Sequence, residues 1–225
     1  MGPEERMREI VRRLKAIYGP LRPPGDLKDP FKVLIRTMLS QNTSYKNELK
    51  AFRALEGCVG IEPAKLASED LSIIEECIRP AGQQRQRALR IKAVAREVLD
   101  KYGGDLWPLL RLEPLEEARR ELMSLPGVGR KTADIVLLFC AGRPVFPVDR
   151  HIIRIFDRLG FIGPRPGYED IRSFVEKALE PGDYLFAHLA LIKLGREICR
   201  ARKPDCPSCP ISDLCDLGRR APKRT

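Results

Sequence analysis

Four cysteines in the pattern Cys199-x6-Cys206-x2-Cys209-x5-Cys215 constrain this chain more than any other feature. They fall within seventeen residues, and Pro204, Pro207 and Pro210 stiffen the loop that carries them. The opening run MGPEERMREIVRRL is charged and lacks the apolar core of a secretory leader, so a reducing, cytoplasmic setting, nucleoid-associated, is expected. There, four clustered thiolates serve to hold metal, and an odd total of seven cysteines argues against a disulfide framework. A tetrahedral zinc and a [4Fe–4S] cluster both satisfy four thiolates, and spacing alone does not choose between them. Cys58, Cys77 and Cys140 stand apart and read as ordinary structural cysteines.

Elsewhere the apolar residues recur at helical intervals, and no strand pair or hairpin dipeptide stands out. Glu4–Tyr18 reads as an amphipathic helix with Ile10, Val11, Leu14 and Ile17 on one side, ended by the Pro/Gly-rich loop Gly19–Leu27. Asp29 and Pro30 then open a helix through Phe31, Leu34, Ile35, Met38 and Leu39. Further helices are expected over Ser44–Leu55, Asp70–Ile78, Gln84–Lys101, Leu115–Met123, Arg130–Cys140, Asp149–Leu159, Tyr168–Leu179 and Asp183–Cys199. The fold class is all-α. No uncharged apolar run approaches the roughly 20 residues of a membrane span, so no membrane partner is expected. The net charge is +10, from 41 Lys+Arg against 31 Asp+Glu, which suits a polyanionic partner such as nucleic acid.

The segment Leu125-Pro126-Gly127-Val128-Gly129-Arg130-Lys131-Thr132 joins two of these helices by a tight turn with two glycines. Such turns are common between helices. This one, however, opens a helix whose amides and positive dipole end suit a phosphate. Arg130, Lys131, Thr132 and Asp134 crowd the first turn of an otherwise apolar helix. A lysine at that positive end is disfavoured as an ammonium and suits an amine nucleophile that forms a Schiff base.

Asp149, in Pro147-Val148-Asp149-Arg150-His151, precedes the next helix and reads as its N-cap. It also suits a carboxylate that stabilises positive charge on a sugar as a glycosidic bond breaks, and the two roles are compatible. His151 reads as a satisfied histidine in a first helical turn.

Together, the Leu-Pro-Gly-Val-Gly-Arg-Lys-Thr-Ala hairpin, the Val-Asp-x-His segment and the cysteine tail resemble the endonuclease III family of helix–hairpin–helix DNA glycosylases. The resemblance implies Lys131 as Schiff-base lysine and Asp149 as essential aspartate. It implies a [4Fe–4S] cluster on Cys199, Cys206, Cys209 and Cys215. It implies a six-helix domain over 30–142, and a cluster domain of 1–29 plus 143–225. A monomer would hold damaged or abasic double-stranded DNA in the cleft between them, with the target base flipped out. The implied activity is removal of oxidised pyrimidines followed by β-elimination. The alternatives are a related glycosylase for mismatched thymine or uracil or for alkylated bases, and a non-catalytic DNA-binding module.

Further DNA contacts follow from the same resemblance. Gln41 matches the family glutamine that enters the gap left by the flipped base. Gln83 and Gln84 stand where the family carries an apolar wedge, a departure that bears on how the opposite base is read. Gly127, Gly129, Arg130 and Thr132 form the hairpin surface. Arg85, with Arg87 and Arg90, and the cysteine-loop residues Arg200, Arg202 and Lys203 are placed to hold phosphates.

Overall fold

A computed structural model describes residues 1–23 and 28–221, and every regular element among them is helical. The helices are α1 (Pro3–Tyr18), α2 (Pro30–Ser40), α3 (Tyr45–Cys58), α4 (Pro63–Ser68), α5 (Leu71–Ile78) and α6 (Gln84–Tyr102). They continue as α7 (Trp107–Leu110), α8 (Leu115–Ser124), α9 (Arg130–Ala141), α10 (Arg150–Leu159), α11 (Tyr168–Ala178), α12 (Tyr184–Glu197) and α13 (Asp216–Arg220). The longer helices lie where periodicity places them. The short α4, α7 and α13 were not anticipated, since so few turns leave no readable period. Of the expected loop Gly19–Leu27, residues 24–27 lie outside the described residues. No described helix is long and apolar enough to cross a membrane.

The chain divides into two compact units, Gly25–Arg143 and Met1–Pro24 with Pro144–Thr225. In the first, Asp29 caps α2 by accepting from the amides of Phe31 (2.8 Å) and Lys32 (3.2 Å), with Pro30 at the first helical position. Phe31, Leu34, Ile35, Met38 and Leu39 of α2 are buried, and α2 packs on α9. Residues 132–138 of α9 are buried without a break, the signature of a helix covered on every side. Each fully covered Leu, Ile or Val there contributes roughly 1.5–3 kcal/mol.

Two charge pairs cross this interior. Arg36 of α2 reaches Glu48 of α3 at 2.5 Å, and Arg119 of α8 reaches Asp134 of α9 at 2.7 Å. Of the polar residues that crowd the first turn of α9, Asp134 is fully buried and faces the interior. Cys58 and Cys77, apart in the sequence, are neighbours in the fold. α3 packs on α5, and burial together with a hydrogen bond to Cys58 pushes the Cys77 thiol up to about 12.

In the second unit α1 packs on α11 and α12. Its buried stripe is Met7, Ile10, Val11 and Leu14, whereas Ile17 is 56% exposed. The i, i+3, i+4, i+7 spacing runs toward the N-terminus from Leu14, one turn earlier than expected.

Candidate active site

In the unit Gly25–Arg143, α8 ends at Ser124 and the chain reverses through Leu125–Gly129 into α9. The Val128 amide donates to the Leu125 carbonyl at 3.1 Å and closes the turn. Gly127 has φ +77°, and a Cβ there would meet Met38 Cε at 3.1 Å and Arg90 Cδ at 3.3 Å. The backbone angle therefore favours glycine, and a larger residue would also have to push the Met38 and Arg90 side chains aside. Gly129 is the N-cap of α9 and supplies no side-chain acceptor. A helix end left this way presents its amides and dipole to an incoming anion.

Arg130 and Lys131 occupy the first two positions of α9; Arg130 is exposed and Lys131 half-buried. Thr132 is 3% exposed, which turns it to the interior, away from the DNA-facing surface expected of it. Behind the turn, Arg119 grips Asp134 with two nitrogens, Nε at 2.7 Å and a terminal nitrogen at 3.3 Å. The pair joins α8 to α9 and so fixes the angle at which Lys131 is presented. Sequence reasoning missed Arg119, because one arginine in an amphipathic helix carries no mark of burial.

The flanking loops lie in the same unit. Gln41 caps the C-terminus of α2 and is half-buried, and Asn42 follows it with φ +53°. Gln83 is exposed with φ +50°, and Arg85 is exposed in the first turn of α6. Arg87 differs from the expectation that it holds phosphate. It is 6% exposed, and its guanidinium donates to backbone carbonyls.

In the second unit, Asp149 is the N-cap of α10, as its sequence position suggests. Its Oδ1 accepts from the amides of His151 (2.8 Å) and Ile152 (2.9 Å), and Oδ2 takes no part in the cap. The segment before it is pinned residue by residue. The Phe146 amide donates to Glu176 at 2.8 Å, and His188 Nδ1 lies 2.9 Å from the Pro147 carbonyl. The Val148 amide donates to the Tyr168 hydroxyl at 3.3 Å. His151 Nδ1 lies 3.0 Å from Arg154, and burial holds its imidazole below the usual value against the opposing pull of Asp149. His151 is thus a satisfied structural histidine.

α10 runs from Asp149 to the cysteine loop. At its far end Arg158 donates to Cys199 Sγ (3.2 Å) and to the carbonyls of Arg200 (2.8 Å) and Ala201 (3.0 Å). Cys199, Cys206, Cys209 and Cys215 line one cavity walled by Ile155, Leu194, Ile198 and Ile211. Burial raises the thiols of Cys206, Cys209 and Cys215, Cys209 to about 11, and neighbouring cysteines raise each of them further. Among the described residues no three acidic, histidine or cysteine groups converge as they would on a single ion. Four cysteine sulfurs around a shared apolar cavity are a donor set suited to a thiolate-held metal centre. Arg200, Arg202 and Lys203 are exposed on this loop, and Lys203 has φ +52°.

Residues 35–181 match the family described as HhH-GPD superfamily base excision DNA repair protein. The chain is 38% identical over 193 residues to endonuclease III of Sulfolobus acidocaldarius, covering 85% of this chain and 83% of that one. It is 34% identical to endonuclease III of Thermotoga maritima, covering 98% and 95% respectively. In structure it is similar to an endonuclease III trapped as a covalent intermediate with DNA. That likeness has a TM-score of 0.85 at 28% identity over 96% of this chain and 97% of the other.

Proposed function

The chain belongs to the endonuclease III family, within the HhH-GPD superfamily of base excision DNA repair proteins, and on that footing we propose that it excises oxidised pyrimidines and cleaves the resulting abasic strand through a Schiff base on Lys131. The observation that carries this reading is the presentation of Lys131. It stands in the first turn of α9, behind a glycine N-cap that leaves the helix end open to the DNA backbone.

The chemistry follows from the two helix starts. The Lys131 amine attacks C1′ of the damaged nucleotide, and the N-glycosidic bond breaks as the base departs with its electron pair and takes up a proton. Asp149 Oδ2, which the cap does not use, stabilises the positive charge that develops on the sugar. Ring opening leaves an imine between Lys131 and C1′. Loss of a proton from C2′ then expels the 3′ phosphate by β-elimination, and water releases the lysine.

Gly127, Gly129 and Arg130 hold the backbone at the hairpin, while Arg85, Arg200, Arg202 and Lys203 neutralise further phosphates. Gln41 and Gln83 enter the duplex where the base is extruded. Cys199, Cys206, Cys209 and Cys215 hold a [4Fe–4S] cluster, which when bound cross-links the basic loop into one shape. The protein acts as a monomer on double-stranded DNA.

The substrate assignment is tested by single-turnover excision on duplexes carrying thymine glycol or a G·T mismatch. Faster release of thymine glycol is expected. Preferential release of the mismatched thymine would move the enzyme to the mismatch branch of its family. Iron and sulfide analysis of aerobically purified protein is expected to give four of each, and one zinc with no sulfide would contradict the cluster.

A further inference from the structure

Arg87 is a charged side chain that the chemistry above leaves without a role, and it is 6% exposed. Burial, and then the neighbouring Arg90 cation, pull its pKa below the ordinary arginine value. A cation kept in that position is held by specific acceptors. Here they are all backbone carbonyls, from two separate loops. One terminal nitrogen donates to Met38 and the other to Gln41 at 2.9 Å, both at the end of α2. Nε donates to Gly82 at 3.1 Å, and the second terminal nitrogen also reaches Ala81 at 3.5 Å.

The two loops share a second property. Asn42, directly after Gln41, has φ +53°, and Gln83, directly after Gly82, has φ +50°. Neither is glycine; asparagine tolerates this left-handed region, but a glutamine holds it only with support from its surroundings. Arg87 bonds the residue immediately before each of them. The guanidinium's rigid fork is suited to bridging them, because its donors point in fixed directions toward both loops at once. A lysine ammonium, compact and on a flexible stem, cannot span them in the same way.

We propose that Arg87 is a positioning residue whose buried guanidinium locks the Gln41 and Gln83 loops in register, so that both glutamines enter the duplex together when the base leaves it. The inference rests on the reading that these loops enter DNA, and it deepens that reading. Arg87 touches no DNA itself. Its loss therefore costs the step in which the extruded base is replaced in the stack, and it spares imine chemistry on a strand with no partner to separate.

The test compares wild type, Arg87→Met and Arg87→Lys on three readouts: single-turnover excision of thymine glycol from duplex, lyase cleavage of an abasic site in single-stranded DNA, and fluorescence of 2-aminopurine beside the lesion. Arg87→Met is expected to slow duplex excision about 30-fold, the loss of a charged hydrogen-bond set. It should weaken the 2-aminopurine rise and leave single-strand cleavage within about twofold. Arg87→Lys, which keeps the charge and the fold, is expected to fall between the two. Equal slowing on duplex and single strand in either variant, or an unchanged duplex rate in both, would overturn the role. Absence of lyase activity in wild type on either substrate would instead remove the underlying glycosylase reading.

Discussion

The two helix starts proposed to carry the chemistry are built in opposite ways. α9 begins behind Gly129, a cap with no side chain, and its rigidity comes from the rear through the buried Arg119–Asp134 pair. α10 begins behind Asp149, which caps the helix itself, and the preceding segment is pinned by Glu176, His188 and Tyr168. A lysine that must meet a sugar beside a phosphate needs an open front, so its support is displaced into the core. An aspartate that needs one free oxygen can give the other to structure. In the proposed roles, structure and function at α9 rest on different residues, and at α10 they meet in a single carboxylate.

That contrast predicts effects of graded size. The largest is on stability: Arg119→Ala should take from buried Asp134 the guanidinium that grips it with two nitrogens and cost about 3–5 kcal/mol in denaturant unfolding. A cost below about 1 kcal/mol would show that the hairpin does not depend on the pair. Next, Asp149→Asn keeps a good N-cap, so folding should hold while single-turnover excision falls about 100-fold, equivalent to about 2.7 kcal/mol. If excision persists and only Asp149→Ala is harmed, through lost stability, the residue is a cap and nothing more. The smallest effect is at the turn. Gly127→Ala forces a methyl into the space of Met38 and Arg90 at a left-handed backbone position. About 1–2 kcal/mol of stability should be lost, with weaker DNA binding at constant salt.

Much of this was legible in the sequence, for reasons specific to particular residues. Asp29-Pro30 and Asp149 announce helix starts because capping and proline chemistry act locally. The glycines of the hairpin and the spacing of the four cysteines are equally local signals. What escaped was whatever depends on partners distant in the chain. Nothing near Arg119 marks it as buried, since its partner lies fifteen residues away across a turn. Arg87 looked like one more phosphate-binding arginine, and only the approach of the α2 end, 46 residues earlier, shows that its donors are already used. Cys58 and Cys77 likewise meet only through the packing of α3 on α5. Thr132 illustrates the opposite failure: a polar residue one step beyond Lys131, which the helix turns inward.

The central claim is that Lys131 is the nucleophile at an open helix start, and borohydride reduction tests it most directly. Wild type and Lys131→Ala would be incubated with thymine glycol duplex and borohydride, and the protein–DNA adduct resolved on a denaturing gel. The account predicts a covalent adduct with wild type and none with Lys131→Ala, whose fold is retained. An adduct of equal yield in the mutant, or cleavage by wild type with no adduct at all, would contradict it.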